Sequence, residues 1–137
     1  PTKAQIQELH RRDGFHCRYC GIPVIRPEVR KFANKLFGAS VPWGRTNASQ
    51  HAGFQTLWAQ YDHVLPHSCG GTNELSNLVV SCAACNYGKM SYRLEEIGLS
   101  AQEIAHQLFQ IGMGWSGCLA QLGFNYEAWH QHPKFSA

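Results

Sequence analysis

The side chains with chemistry to offer are six cysteines and a set of Asp, His and Asn residues in the middle of the chain. Four cysteines fall in two CxxC pairs, Cys17 with Cys20 and Cys82 with Cys85, while Cys69 and Cys118 stand alone. A disulfide scaffold would be shorter and denser in cysteine. In a reducing compartment two CxxC pairs predict four thiolates around one tetrahedral zinc ion. The alternatives are two unrelated thiol pairs or a redox CxxC. Four thiolates complete the zinc shell, so Cys69 is not read as a ligand, and Cys118 reads as a buried small apolar residue. The interval from Cys20 to Cys82 is too long for a compact zinc ribbon, so something functional is expected inside the loop the zinc closes. That loop holds Asp62 beside His63, then Asn77. Asn86 directly follows the second CxxC, and Lys89 lies one helical turn beyond Cys85.

These residues need a frame, and the local pattern reads as strand, loop, strand, helix. Tyr61 to Leu65 reads as a short strand, and Pro66 to Asn77 as a turn-rich loop containing Gly70 and Gly71. Leu78 to Val80 is a second, apolar strand, and Ala83 to Met90 a short helix opening at the second CxxC. Upstream, Thr2 is placed to cap a helix through Ile6, Leu9, Arg11 and Arg12, stopped at Asp13 and Gly14. The first CxxC sits in a turn between Phe15 and Gly21. Pro27 suits the start of a helix from Glu28 to Phe37, ended by Gly38. Asn47 is expected to cap a third helix through Phe54, Leu57 and Trp58, with Phe54 and Trp58 on one face. The aromatics of this insertion (Phe32, Phe37, Trp43, Phe54, Trp58) are expected to pack as core. Ser100 to Glu103 reads as a capping box that opens a helix with Ile104, Leu108 and Ile111 on one face. The tail beyond holds Trp115, Phe124, Tyr126, Trp129 and Phe135. It is expected to pack on the core, or else to dock a second copy or a larger assembly.

A chain of 137 residues fits one domain, with no room for two independent cores. With 44% hydrophobic and 15% charged residues, the composition excludes a disordered chain. A net charge of +3 is mildly basic, which is compatible with a nucleic-acid partner but does not require one. There is no run of 18 apolar residues and no charged-then-apolar leader, so the expectation is a soluble, cytoplasmic protein with no membrane partner. The sequence starts at Pro1 rather than Met, as expected of a trimmed chain or a piece of a longer one.

Together, Asp62-His63-Val64-Leu65-Pro66, Gly70-Gly71, Asn77-Leu78-Val79, Cys82, Cys85-Asn86 and Lys89 resemble the motif of the HNH (ββα-metal) endonucleases. Cys17 and Cys20 upstream resemble the zinc-binding four-Cys subclass. The resemblance implies an α+β fold: a ββα-metal core at about 61–90 with a structural four-Cys zinc site, a helical insertion at 23–60 and a helical extension at 91–137. It also implies a metal-dependent endonuclease hydrolysing DNA phosphodiester bonds, with restriction or phage defence as the setting.

That reaction needs a deprotonated water, charge neutralisation on the phosphate and a stabilised leaving oxygen. His63 is expected to be the general base, because a neutral imidazole accepts a proton readily near pH 7. Asp62 and Asn86 offer hard oxygen ligands to one Mg²⁺ or Mn²⁺, which the resemblance puts on the scissile phosphate and the leaving 3′ oxygen. Asn77 is expected to tie the loop and fix His63 from behind. Asn86 stands where some members carry His, and favours an oxygen-preferring ion. Cys69 stands where many carry a basic residue, a loss that His67, Lys89 and Arg93 are expected to offset. Arg11, Arg12, Arg18, His67, Lys89 and Arg93 are expected to follow phosphates, with Arg26, Arg30, Lys31, Lys35 and Arg45 extending the DNA footprint. The rival reading is a catalytically inactive zinc-stapled nucleic-acid-binding or interaction module. The presence of Asp62, His63, Asn77 and Asn86 together opposes it.

Overall fold

A computed structural model of the chain describes residues 1–101 and 104. Helix α1 runs Lys3–Asp13. Its start is a capping box: Gln5 N donates to the Thr2 hydroxyl, and the Gln5 side chain accepts from Thr2 N. The following knuckle is a tight hairpin in which His16 bridges Pro23 and Cys17 N donates to Ile22 O at 2.9 Å. Helix α2, Pro27–Phe37, begins at its proline and stops at Gly38, as the sequence predicts.

The third helix differs from expectation. Asn47 opens only a single 3-10 turn, Asn47–Ser49, closed by bonds between Thr46 and Ser49. Gln50 is then extended and bridges Trp43, which interrupts any continuous helix. Helix α3 is short, Ala52–Thr56, and its cap is the His51 side chain rather than Asn47. Trp58 lies beyond its end, bridged to Ile25.

Strand β1, Ala59–His63, pairs antiparallel with β2, Leu78–Cys82, in a register running from Ala59 opposite Cys82 to His63 opposite Leu78. β1 begins and ends two residues earlier than the sequence pattern suggests. Ile25 extends its start, because Ala59 N donates to Ile25 O, while the Asn77 side chain takes the backbone of Leu65 at its other end. Helix α4, Ala83–Lys89, completes the ββα unit. A two-stranded sheet is marginal alone; here α1 packs on β2, and α4 lies against both strands.

Every residue of β2 is buried, and Leu9, Val24, Leu78 and Val80 are wholly enclosed at the centre of the core. Each such aliphatic side chain contributes roughly 1.5–3 kcal/mol. The aromatics of the insertion do not form the core expected of them. Phe37 is exposed, and Phe32, Trp43, Phe54 and Trp58 are only half-buried. α2 turns Val29 and Ala33 inward instead, four residues apart on one face of a short helix.

Ser100, Ala101 and Ile104 are described, with Ile104 N donating to Ser100 O and Ile104 buried. The rest of the capping box, Leu108, Ile111, Cys118 and the aromatic tail lie outside the described residues. Among the described residues no helix is long and apolar enough to cross a membrane.

Candidate active site and metal centre

The fold brings the two CxxC pairs together. The Sγ atoms of Cys17, Cys20, Cys82 and Cys85 all lie within 4.8 Å of one another. A tetrahedral ion with metal–sulfur bonds of about 2.3 Å needs sulfurs about 3.8 Å apart, and Cys20 Sγ lies 3.8 Å from Cys82 Sγ. Hydrogen bonds from Cys20 and Cys85 pull the Cys17 thiol far down, while bonding to Cys17 pushes Cys20 and Cys85 up. Four thiolates this close repel one another unless positive charge lies between them. Cys82 also caps α4, its sulfur accepting from Cys85 N, so the cluster and the helix start are one structure. Cys69 is not part of the cluster, as expected.

Asp62 and His63 end β1. Asp62 is buried with its carboxylate already engaged: Oδ2 accepts from the Tyr19 hydroxyl at 2.7 Å and from Lys89 Nζ at 3.1 Å, and Oδ1 from His63 N at 2.8 Å. A carboxylate has about four lone-pair positions, so one on Oδ1 is left for a metal ion. Burial and the adjoining Asp62 charge push the Tyr19 phenol far up, keeping it a donor. Lys89 is 3% exposed and also donates to His63 O at 2.8 Å. Its ammonium therefore faces inward, a correction to its expected place on the phosphate path. Asn86 is half-buried and precedes Lys89 by three residues of α4, the spacing that shares a helix face. It is thus on the side of α4 that meets Asp62.

The loop between the strands is held by Asn77. Its Oδ1 accepts from Leu65 N at 2.8 Å, and its Nδ2 donates to Leu65 O and Thr72 O at 3.1 and 2.9 Å. The glycine pair makes this closure possible. Gly70 adopts φ +89, and a Cβ on Gly71 would lie 1.8 Å from Leu65 O. Among the described residues the Asn77 side chain makes no hydrogen bond to His63; it fixes Thr72, and the next residue bonds His63. His63 Nε2 lies 2.7 Å from Asn73 Oδ1. That oxygen only accepts, so in the neutral imidazole Nε2 carries the proton and Nδ1 keeps the lone pair. Sequence reasoning missed Asn73, because an Asn in a Gly- and Thr-rich loop reads as a turn former. Its neighbour Asn77 gave the only available signal.

The expected phosphate contacts divide. Arg12 and Arg18 converge on Asp13, which is fully buried and also accepts from Val80 N. Arg12 further donates to Leu75 O and Leu78 O. These bonds hold α1 and the knuckle to β2; the Arg18 guanidinium is thereby enclosed, a correction to its expected role, whereas Arg12 remains exposed. The sequence showed Asp13 only as a helix stop. Arg11 pairs with Glu8 on the surface. His67 is exposed, its ring 5.5 Å from that of His63. Arg93 is exposed, and Cys69 raises its pKa, so a cation lies near the position that lacks a basic residue.

Compared with known proteins, residues 51–98 match the family model of the HNH endonucleases. No curated protein and no solved structure matches the chain.

Proposed function

We propose, from the match of residues 51–98 to the HNH endonuclease family model, that the chain hydrolyses DNA phosphodiester bonds with Mg²⁺ or Mn²⁺ at Asp62 and Asn86 and zinc at the four thiols. The observation that carries this reading is His63 at the end of β1, next to Asp62 in the chain, with Nε2 engaged by Asn73 and Nδ1 keeping its lone pair as a base. His63 Nδ1 takes a proton from water as the oxygen attacks phosphorus. The bond to the 3′ oxygen breaks, and that oxygen is protonated from solvent. The imidazolium formed keeps its Nε2 proton on Asn73, so the ring does not turn during the transfer. Asp62 offers its free Oδ1 lone pair and Asn86 its side-chain oxygen as hard ligands. A divalent ion held there supplies positive charge to the phosphate and the leaving oxygen. Lys89 and Tyr19 hold Asp62 in place, and Asn77 holds the loop that carries Asn73. His67, Arg93 and Arg11 remain as exposed cationic or polar groups for the flanking phosphates. One domain spanning residues 1–137 and a cytoplasmic role in restriction or phage defence complete the reading, the latter resting on family resemblance.

The test is nicking of supercoiled plasmid DNA. Wild type should nick with Mg²⁺ or Mn²⁺ and stop in EDTA, and His63→Ala should be inactive while keeping its fold and about one zinc per chain, as four thiolates require. Full activity in His63→Ala overturns the mechanism. No nicking by wild type with either ion leaves the zinc-stapled binding module as the better reading.

A further inference from the structure

The insertion packs against the nuclease frame so as to leave a cavity of about 210 Å³, lined by Trp43, Gln50, Gln55, Trp58, Gln60 and Tyr87 among others. The two indoles stack with centroids 4.9 Å apart, and the Arg30 guanidinium lies 4.6 Å from the Trp43 ring and 5.7 Å from that of Trp58. The carboxamides are partly pre-set: Gln55 Nε2 donates to Gln50 Oε1 and Asn47 O, and Gln50 Nε2 to Gly44 O. The Gln60 carboxamide and Gln55 Oε1 make no hydrogen bond among the described residues. No acidic or basic side chain lines the wall. The cavity is too small for a drug-sized ligand, which takes about 300 Å³ or more.

Its position is as informative as its chemistry. Gln60 and Asp62 alternate with Tyr61 along β1, so their side chains share the face that α4 covers. They lie about 7 Å apart along the strand, so the cavity adjoins the site at Asp62. Ala83 and Tyr87, one turn apart on α4, line the same cavity.

We infer that this cavity receives a single nucleobase, unstacked from the bound DNA strand close to the phosphate at Asp62. Flat aromatic walls suit a base face, and neutral carboxamides, each both donor and acceptor, suit a base edge. A pocket with no ionised side chain offers nothing to a phosphate. The inference rests on the nuclease reading for its geometry, but it is tested by binding alone.

The probe is a fluorescein-labelled, mixed-sequence DNA decamer, compared with a decamer of the same length whose residues are all abasic. Anisotropy titrations use the full chain in buffer without added Mg²⁺ or Mn²⁺, so that nothing is cut. Wild type should bind the base-bearing strand about tenfold more tightly, the scale of one aromatic-stacked base. Trp43→Ala should cut that ratio to about threefold or less while leaving the abasic affinity, which reports phosphate contacts and folding, unchanged. Gln60→Leu should cut the ratio too; it decides the matter if Trp43→Ala loses both affinities by misfolding. Equal affinity for the two decamers in wild type, or an unchanged ratio in Gln60→Leu, overturns the inference. A wild type that prefers the base-bearing strand yet never nicks plasmid sinks the nuclease reading alone. One that nicks but shows no preference sinks only the pocket.

Discussion

The frame carrying His63 and the thiols and the insertion between Pro23 and Gln60 are built on different physics. In the frame, β2 is buried along its whole length, Asp13 and Asp62 are enclosed with cationic partners, and four sulfurs crowd one point. In the insertion, Leu36 and Phe37 are 57% and 62% exposed, and the indoles line a cavity rather than fill a core. Turn bonds of Thr46, Ser49, Gln50 and Gln55 hold that region, each contributing only about 0.5–1.5 kcal/mol. The frame is therefore over-determined, and the insertion is free to vary its binding surface.

The strongest break of that contrast is at adjacent residues of α4. A structural metal in a small domain contributes on the order of 10 kcal/mol, so Cys85→Ser should lose its metal and aggregate or melt far below wild type in calorimetry. Asn86→Ala should melt close to wild type and still bind DNA, yet nick far more slowly. If the two variants melt alike, the division between staple and active site is misplaced.

Next in size is the buried ion network. Asp13→Ala leaves Arg12 and Arg18 without their carboxylate, and should cost about 3–5 kcal/mol in urea unfolding. A loss under about 1 kcal/mol would mean that the Arg18–Asp13 pair is not enclosed.

Asn73→Ala should leave the melting temperature alone and lower kcat about 10–100-fold, the usual cost of losing an orienting partner, with KM held. Asn73→Asp keeps an acceptor oxygen and should recover most of that loss. Equal kcat in wild type and Asn73→Ala would remove Asn73 as the positioning residue.

A smaller effect lies in pH. Burial lowers the His10 pKa, with Gly14 O opposing it. The unfolded chain then binds more protons than the folded one below the ordinary His value of about 6.5, so stability falls as pH drops through that value and is complete above it. Thermal melts should show this loss, and His10→Phe should have a shallower slope on acidification than wild type. Parallel slopes would assign the acid sensitivity elsewhere.

The smallest expected change is in the insertion: Phe37→Ser should stay within about 0.5 kcal/mol of wild type. A larger loss would mean that Phe37 is covered in the folded protein.

The ββα unit was legible because its signals are local. The apolar run Leu78-Val79-Val80 marks β2, a glycine pair marks the tight loop, and CxxC marks a turn that brings its two sulfurs together. Capping also reads locally, and α1 and α2 begin and end where Thr2, Gly14, Pro27 and Gly38 imply. The third helix was misread for a related reason. Asn47 has the right type for a cap, but Thr46 and Ser49 compete for the same turn, and the bridge from Trp43 to Gln50 forms only when distant backbone arrives.

By itself the sequence determined which residues hold oxygen, nitrogen and sulfur at usable spacing, since residue type sets what a side chain can donate or accept. It also determined the order of strand, loop, strand and helix, which follows from short-range periodicity. Only the tertiary structure decided where each charge goes. Lys89 and Arg18 carry the same charge as the surface cations, yet they turn inward, Lys89 because Asp62 is buried on a strand far away in sequence and Arg18 because Asp13 is enclosed at the end of α1. The same holds for Asn73 and for the indole cavity: both depend on which backbone lies across from them, and no local pattern encodes that.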